Sequence, residues 1–234
     1  MTRQVFVTGG TGYVGRRLVA ELVARGHAVR ALVRRGSEAR LPAGAQAVVG
    51  DALDAATFTA AVRPGDTFVQ LVGTPHPSPR KAKQFRAIDL VSARESARAA
   101  QAARAGHLVY VSVAHPAMVM KVYQEVRIEG ERMVKETGIP ATILRPWYVL
   151  GPGHRWPVAL LPLYALLERI PATRDSALRL GMVTLDDMVA ALVAAVEDPP
   201  QSERIVEVPR IRGSRARLGA APRAAAREMA GAAS

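Results

Sequence analysis

The chain has no cysteine, which excludes disulfides and thiolate chemistry and fits a reducing cytosol. It also lacks long apolar runs. The stretches 5–7, 28–33, 68–72, 108–113 and 141–144 fall far short of the roughly 20 residues a membrane helix needs. Met1 leads directly into a strand and a glycine loop, so no signal peptide is read and a cytoplasmic location is expected. Lysine is scarce, confined to Lys81, Lys83, Lys121 and Lys135, so arginine carries nearly all of a net charge of +12. Such a balance ordinarily raises nucleic acid as a partner. Yet Arg210, Arg212, Arg215, Arg217, Arg223 and Arg227 stand against Glu228 alone at the C-terminal end, and they account for much of the excess. Arginine and alanine abound together, as in GC-rich genomes, and nucleic acid is therefore not expected as a partner. No spacing suggests a metal site, since His27, His107 and His154 are scattered, and there is no internal repeat.

What is present is enough for one domain: 234 residues, 49% of them hydrophobic. Residues 4–8 are a β-branched run ending in glycines, and 12–25 follow with Val14, Leu18, Leu22 and Val23 on one helical face until Gly26. Strands are read at 27–33, 45–49, 66–72, 107–113 and 141–144, and again at 203–208. Helices are read at 52–62, 80–104, 119–137 and 185–197. Strands alternating with helices at this pitch imply an α/β fold, a doubly wound parallel sheet of Rossmann type. The core is assigned to residues 1–145. Residues 146–212 form a small, proline-rich cap plus a returning helix and strand, and 213–234 a tail without an apolar stripe, expected to be disordered or loosely helical.

Gly9-Gly10-Thr11-Gly12-Tyr13-Val14-Gly15 follows a strand and opens a helix, the context that gives a glycine triplet meaning. Gly9 serves the tight turn, Gly12 lets the backbone approach a pyrophosphate, and Gly15 permits close helix–strand packing. The N–H groups and dipole of the helix start favour the phosphates. The second strand ends in Arg34 and Arg35 rather than the carboxylate usual for NAD, so NADP(H) is expected over NAD(H). Asp54 reads as a helix N-cap.

The glycine segment resembles the fingerprint of the extended and atypical short-chain dehydrogenase/reductases. The resemblance runs from about Gln4 to Val208, through the Arg145-Pro146 and Gly151-Pro152-Gly153 turns. It implies that Asp51 and Ala52 meet the adenine and that Val72 and Gly73 pass close to the cofactor. It implies a catalytic serine at Ser112 and a proton-transferring Tyr123. The lysine expected four residues after that tyrosine is replaced by Arg127. Tyr123 and Arg127 share a helix face. Arginine can still favour a tyrosinate and bind ribose oxygens, but it cannot give up its own proton.

His76 and His115 lie on loops past the fourth and fifth strands, at the carboxyl edge where open α/β sheets bind ligands. Either could contact substrate or act as acid or base, and either could equally be held by backbone bonds. Trp147, Tyr148, His154 and Trp156 form an aromatic cluster that could floor a flat substrate pocket or simply be the core of the cap. Two functions follow from the resemblance. One is an NADP(H)-dependent oxidoreductase or epimerase/dehydratase, with a small substrate because the cap is short. The other is a non-catalytic NAD(P)H sensor or scaffold, like the NmrA-type proteins or the accessory subunit of respiratory complex I. Oligomeric state is left open.

Overall fold

The computed structural model describes residues 2–152 and 170–219. Its centre is a seven-stranded, wholly parallel sheet in the order β3-β2-β1-β4-β5-β6-β9. These strands are β1 (Gln4–Thr8), β2 (Ala28–Val33), β3 (Gln46–Val49), β4 (Thr67–Gln70), β5 (His107–Val111), β6 (Ala141–Arg145) and β9 (Glu203–Glu207). Alternation along β1 divides the core. Val5 and Val7 pack with α1 (Tyr13–Ala24) and α6 (Leu185–Glu197), whereas Phe6 joins Phe58, Phe68, Ala93 and Val134 on the other face. The sequence order reverses between β1 and β4, which makes the switch point where ligands of such sheets bind.

Three segments differ from the sequence reading. Residues 52–62 are two tight 3-10 turns, Ala55–Thr57 and Thr59–Ala61, rather than a helix. Asp54 does cap the first, accepting from Ala56 N–H at 3.1 Å. Thr57 Oγ1 donates to the Asp54 carbonyl at 2.7 Å and accepts from Asp51 N–H at 2.9 Å, so local side-chain bonds tighten the backbone. The expected long helix over 80–104 carries a π-helical stretch, Phe85–Leu90, between α2 (Ala82–Gln84) and α3 (Val91–Ala102). Its extra residue per turn goes with Phe85 and Asp89 both facing inward, the latter fully buried. The segment 214–219, read as disordered or loosely helical without an apolar stripe, is helical, with Leu218 against the core.

In the cap, β7 (Tyr148–Leu150) and β8 (Met182–Thr184) pair as a small parallel sheet, and α5 (Pro171–Arg179) precedes β8. Three-residue strands carry too little periodicity to be read from sequence. His154 and Trp156 lie outside the described residues.

Candidate functional site

The glycine loop is shaped by what its glycines touch. Gly9 has φ +78°, and a Cβ there would stand 2.9 Å from the Leu71 carbonyl carbon and 3.0 Å from Val72 N. The loop is thus pressed onto the chain leaving β4. A Cβ on Gly15 would drive into the Gly9 carbonyl oxygen, so α1 can approach the loop this closely only with glycine there. Gly12 precedes α1 without a side-chain cap, and the first turn of α1 carries no acid. Gly12 is exposed, with Thr11, Tyr13 and Val14 half-buried beside it. These residues fit a dinucleotide pyrophosphate. The Tyr13 ring reaches the cap, where a Cβ on Gly151 would meet its hydroxyl. Burial raises the pKa of this phenol, with Tyr148 adding to the rise and Arg17 opposing it.

Past β2, Arg34 and Arg35 are exposed and the chain turns at Gly36. An acid does stand nearby. Glu38 is held below the usual carboxylate range by its own N–H and that of Gly36, and Arg35 adds to the effect. Asp51 is exposed and accepts from Leu53 N–H at 2.9 Å, with Ala52 beside it.

The opposite side of the switch point is closed by side chains. On α4 (Lys121–Glu136), the Arg127 guanidinium is buried, with both terminal nitrogens bonded and Nε left without a partner among the described residues. It donates to the Val111 carbonyl at 3.0 Å and to Asp89 at 2.6 Å, and it lies 5.2 Å from the centre of the Tyr123 ring. Burial works against its charge, but Tyr123, Tyr110 and Asp89 outweigh burial and raise its pKa further. Gly73 is packed on it, for a Cβ there would collide with Arg127. Tyr110 faces the same guanidinium, and burial pushes its phenol up to about 12, so it stays neutral. Tyr123 is half-buried and packs on Phe85 at 4.8 Å between ring centres.

Ser112 is 3% exposed, and its buried hydroxyl has no hydrogen-bond partner among the described residues. Glu131 receives Arg145 through two bonds, at 2.9 and 2.5 Å, and stands 3.6 Å from His115 Nε2. Burial would raise its carboxyl, but Arg145 and His115 together hold it low. Arg145 also reaches Glu207 on β9 at 3.0 Å. His115 Nε2 thus stands near a buried carboxylate, while His76 is exposed with φ +49°. Trp147 packs against the core and Tyr148 is half-buried in β7. Among the described residues no hydrogen bond joins Ser112 to Tyr123.

Sequence reasoning missed Asp89 and Glu131. The signal for Asp89 is a lone acid between Ile88 and Leu90. Glu131 has none, because its partner Arg145 is on another element. Among the described residues no helix is long and apolar enough to cross a membrane, and no group of side chains could hold a metal ion.

A family profile described as NAD(P)H-binding matches residues 9–199. The chain is 28% identical over 197 residues to a ceramide reductase of Caulobacter vibrioides, covering 83% of this chain but 61% of that protein. It thus spans less than two thirds of that relative's length. A 3-diazoavenalumate denitrifying reductase of Streptomyces sp is 31% identical over 221 residues, covering 83% of this chain and 72% of that protein. A short-chain dehydrogenase/reductase superfamily protein of Agrobacterium tumefaciens, solved with bound NAD, superimposes with a TM-score of 0.64 at 19% identity. That match covers 88% of this chain and 77% of the other. The chain belongs to the NAD(P)H-binding family and has the Rossmann fold of the short-chain dehydrogenase/reductases.

Proposed function

We propose that the chain is an NADP(H)-dependent reductase of a small carbonyl substrate, with Tyr123 as proton donor. A bound dinucleotide supplies the hydride. The glycine loop, from Gly9 and Thr11 to Gly15, holds its pyrophosphate, Arg34 and Arg35 take the 2′-phosphate, and Asp51 and Ala52 meet the adenine. Val72 and Gly73 floor the site between the glycine loop and Arg127. His115, Trp147 and Tyr148 border the substrate, with His76 on the facing loop. The observation that carries the reading is the Arg127 guanidinium fixed 5.2 Å from the centre of the Tyr123 ring, which puts a buried cation beside the phenol at the rim of the site. Two of the relatives are named as reductases, which supports the same class.

The test is loss of NADPH absorbance against a panel of carbonyl compounds, repeated with Tyr123→Phe. Turnover should fall about 10²–10⁴-fold, the contribution of a positioned acid, while NADPH affinity stays near its original value. Equal turnover by the phenylalanine variant removes Tyr123 from the chemistry.

A specific observation favours a second reading, a non-catalytic NAD(P)H sensor or scaffold. Arg127 donates to Asp89 and Val111, and among the described residues no hydrogen bond joins Ser112 to Tyr123. The cation that the family's chemistry uses is thus engaged within the protein. Tight NADPH binding with no consumption of any carbonyl would select it.

A further inference from the structure

The connections after β4 and β5 leave adjacent strands at the carboxyl edge, and the helices they feed start side by side. Phe85 packs on Tyr123, and Arg86 lies 3.5 Å from Glu125. Between β5 and α4 the chain projects an apolar tip. Met118 is 93% exposed and Val119 59% exposed. One buried side chain on the first turn of α4 holds this tip out. Gln124 accepts the Ala117 N–H at 2.8 Å and donates to the Ala117 and Val119 carbonyls at 2.9 and 2.6 Å. Arg179 of α5 reaches the Pro116 carbonyl at 3.5 Å. The backbone of the loop is tied from behind, and its two apolar side chains face outward.

The charge around the tip is of one sign. Residues 75–86 and 115–125 carry Arg80, Lys81, Lys83, Arg86 and Lys121 against the single acid Glu125, which Arg86 already meets. In a chain whose positive charge is nearly all arginine, three of the four lysines stand here. Lys81 donates to the Pro75 carbonyl at 2.5 Å, while Lys83 and Lys121 are exposed. A lysine stem can lie along apolar groups while its ammonium reaches a charged surface.

We propose that this edge docks on an anionic lipid surface, with Met118 and Val119 entering the headgroup boundary and Arg80, Lys83 and Lys121 over the phosphates. Apolar insertion and basic attraction are the two contributions that hold a protein at such an interface. A protein partner would need a broad apolar core to bury, and this tip is a narrow projection. Single-stranded nucleic acid would need exposed rings to stack on, and the nearest, Tyr123, is half-buried against Phe85.

The test is cosedimentation of the full chain with vesicles of phosphatidylcholine, alone or mixed with phosphatidylglycerol. The mixed vesicles should take up the protein and the neutral ones should not, with uptake falling as salt is raised. Met118→Ser combined with Val119→Ser should weaken uptake by about tenfold or more. Lys83→Ala and Lys121→Ala should each weaken it by about fivefold. All these variants should keep the original melting temperature, because the altered side chains are exposed. Lys135→Ala is the control. It lies at the far end of α4, 3.0 Å from Glu203, and should leave uptake unchanged. Equal uptake by the serine pair would mean plain adsorption of a basic chain and overturns the proposal. Equal losses from Lys135→Ala and Lys121→Ala overturn it as well. So does a failure of the unaltered chain to bind the mixed vesicles, and a lower solution mass for the serine pair would then assign the tip to contact between copies.

Discussion

The first βα unit and the β5–α4 unit treat their polar groups in opposite ways. Around Gly12 the helix start has no cap and no acid, and Arg34 and Arg35 stand exposed. Around Arg127 the cation is matched by Asp89 and the Val111 carbonyl, and Glu131 by Arg145. Donors left unmatched at a surface are available to a ligand; donors matched internally hold the fold together. The two halves of one superfamily signature thus carry different weight. The glycine loop has the form of a binding surface, and the Ser112–Arg127 region has the form of a buried electrostatic frame with Tyr123 at its rim.

The sharpest break of this comparison is Glu131→Gln. The substitution leaves Arg145 with Glu207 alone and removes the negative charge facing His115. Removing one partner of a buried ion pair costs about 3–5 kcal/mol. At this chain length that lowers the melting temperature by about 6–20 °C, readable by calorimetry. NADPH affinity of the folded protein should not change, because the glycine loop does not depend on this frame. A large fall in affinity with little loss of stability would reverse the assignment of the two halves.

A second measurement concerns His107 at the start of β5, far from the carboxyl edge. Its imidazole is 1% exposed and bonded to Thr142 Oγ1 at 2.9 Å. Burial lowers its pKa from 6.5 to about 4, with Arg204 and Arg3 adding to the shift. The folded protein therefore takes up this proton less readily than the unfolded chain. The associated stability is fully present above about pH 6.5 and is lost as the pH falls toward 4, in total on the order of 3 kcal/mol. Glu131 and Glu197 are held below their ordinary value of 4.5, so they lose their contribution only at the acid end of this range and beyond. His107→Gln should flatten the dependence of melting temperature on pH between 6.5 and 4.5. An unchanged slope would mean that other groups take up the proton.

The parallel sheet was legible because its inner strands are short apolar runs buried on both faces and separated by glycine-closed helices. The glycine loop was legible because its function depends on backbone, and backbone demands particular residues at fixed spacing. The frame around Arg127 was only half legible. Tyr123 and Arg127 lie one helical turn apart, so their proximity follows from sequence. The Asp89–Arg127 contact spans 38 positions and depends on a π-helical register that an alanine-rich stretch does not announce. In the same way, Ser112 is at the expected end of β5, but that no hydrogen bond joins its buried hydroxyl to Tyr123 could not be read from the spacing of the two residues.

The smallest expected effect bears on the open half. Arg34 and Arg35 are exposed, and Glu38 on the same loop is itself held by backbone N–H groups. A 2′-phosphate placed there would gain charge-assisted hydrogen bonds worth about 1.5–3 kcal/mol, less whatever solvent screens. Changing both arginines to alanine should weaken NADP(H) by about ten- to a hundredfold and leave NAD(H) nearly untouched, as measured by titration calorimetry. The difference should shrink as salt is raised, since both guanidiniums lie in water. Glu38→Gln is the useful companion. It removes the acid on the same loop, so it should strengthen NADP(H) slightly and weaken any NAD(H) binding that relies on a carboxylate at the ribose. Equal losses for both cofactors in the double alanine variant would mean that the arginines support the loop rather than read the phosphate. The open half would then owe its binding to the glycine backbone alone.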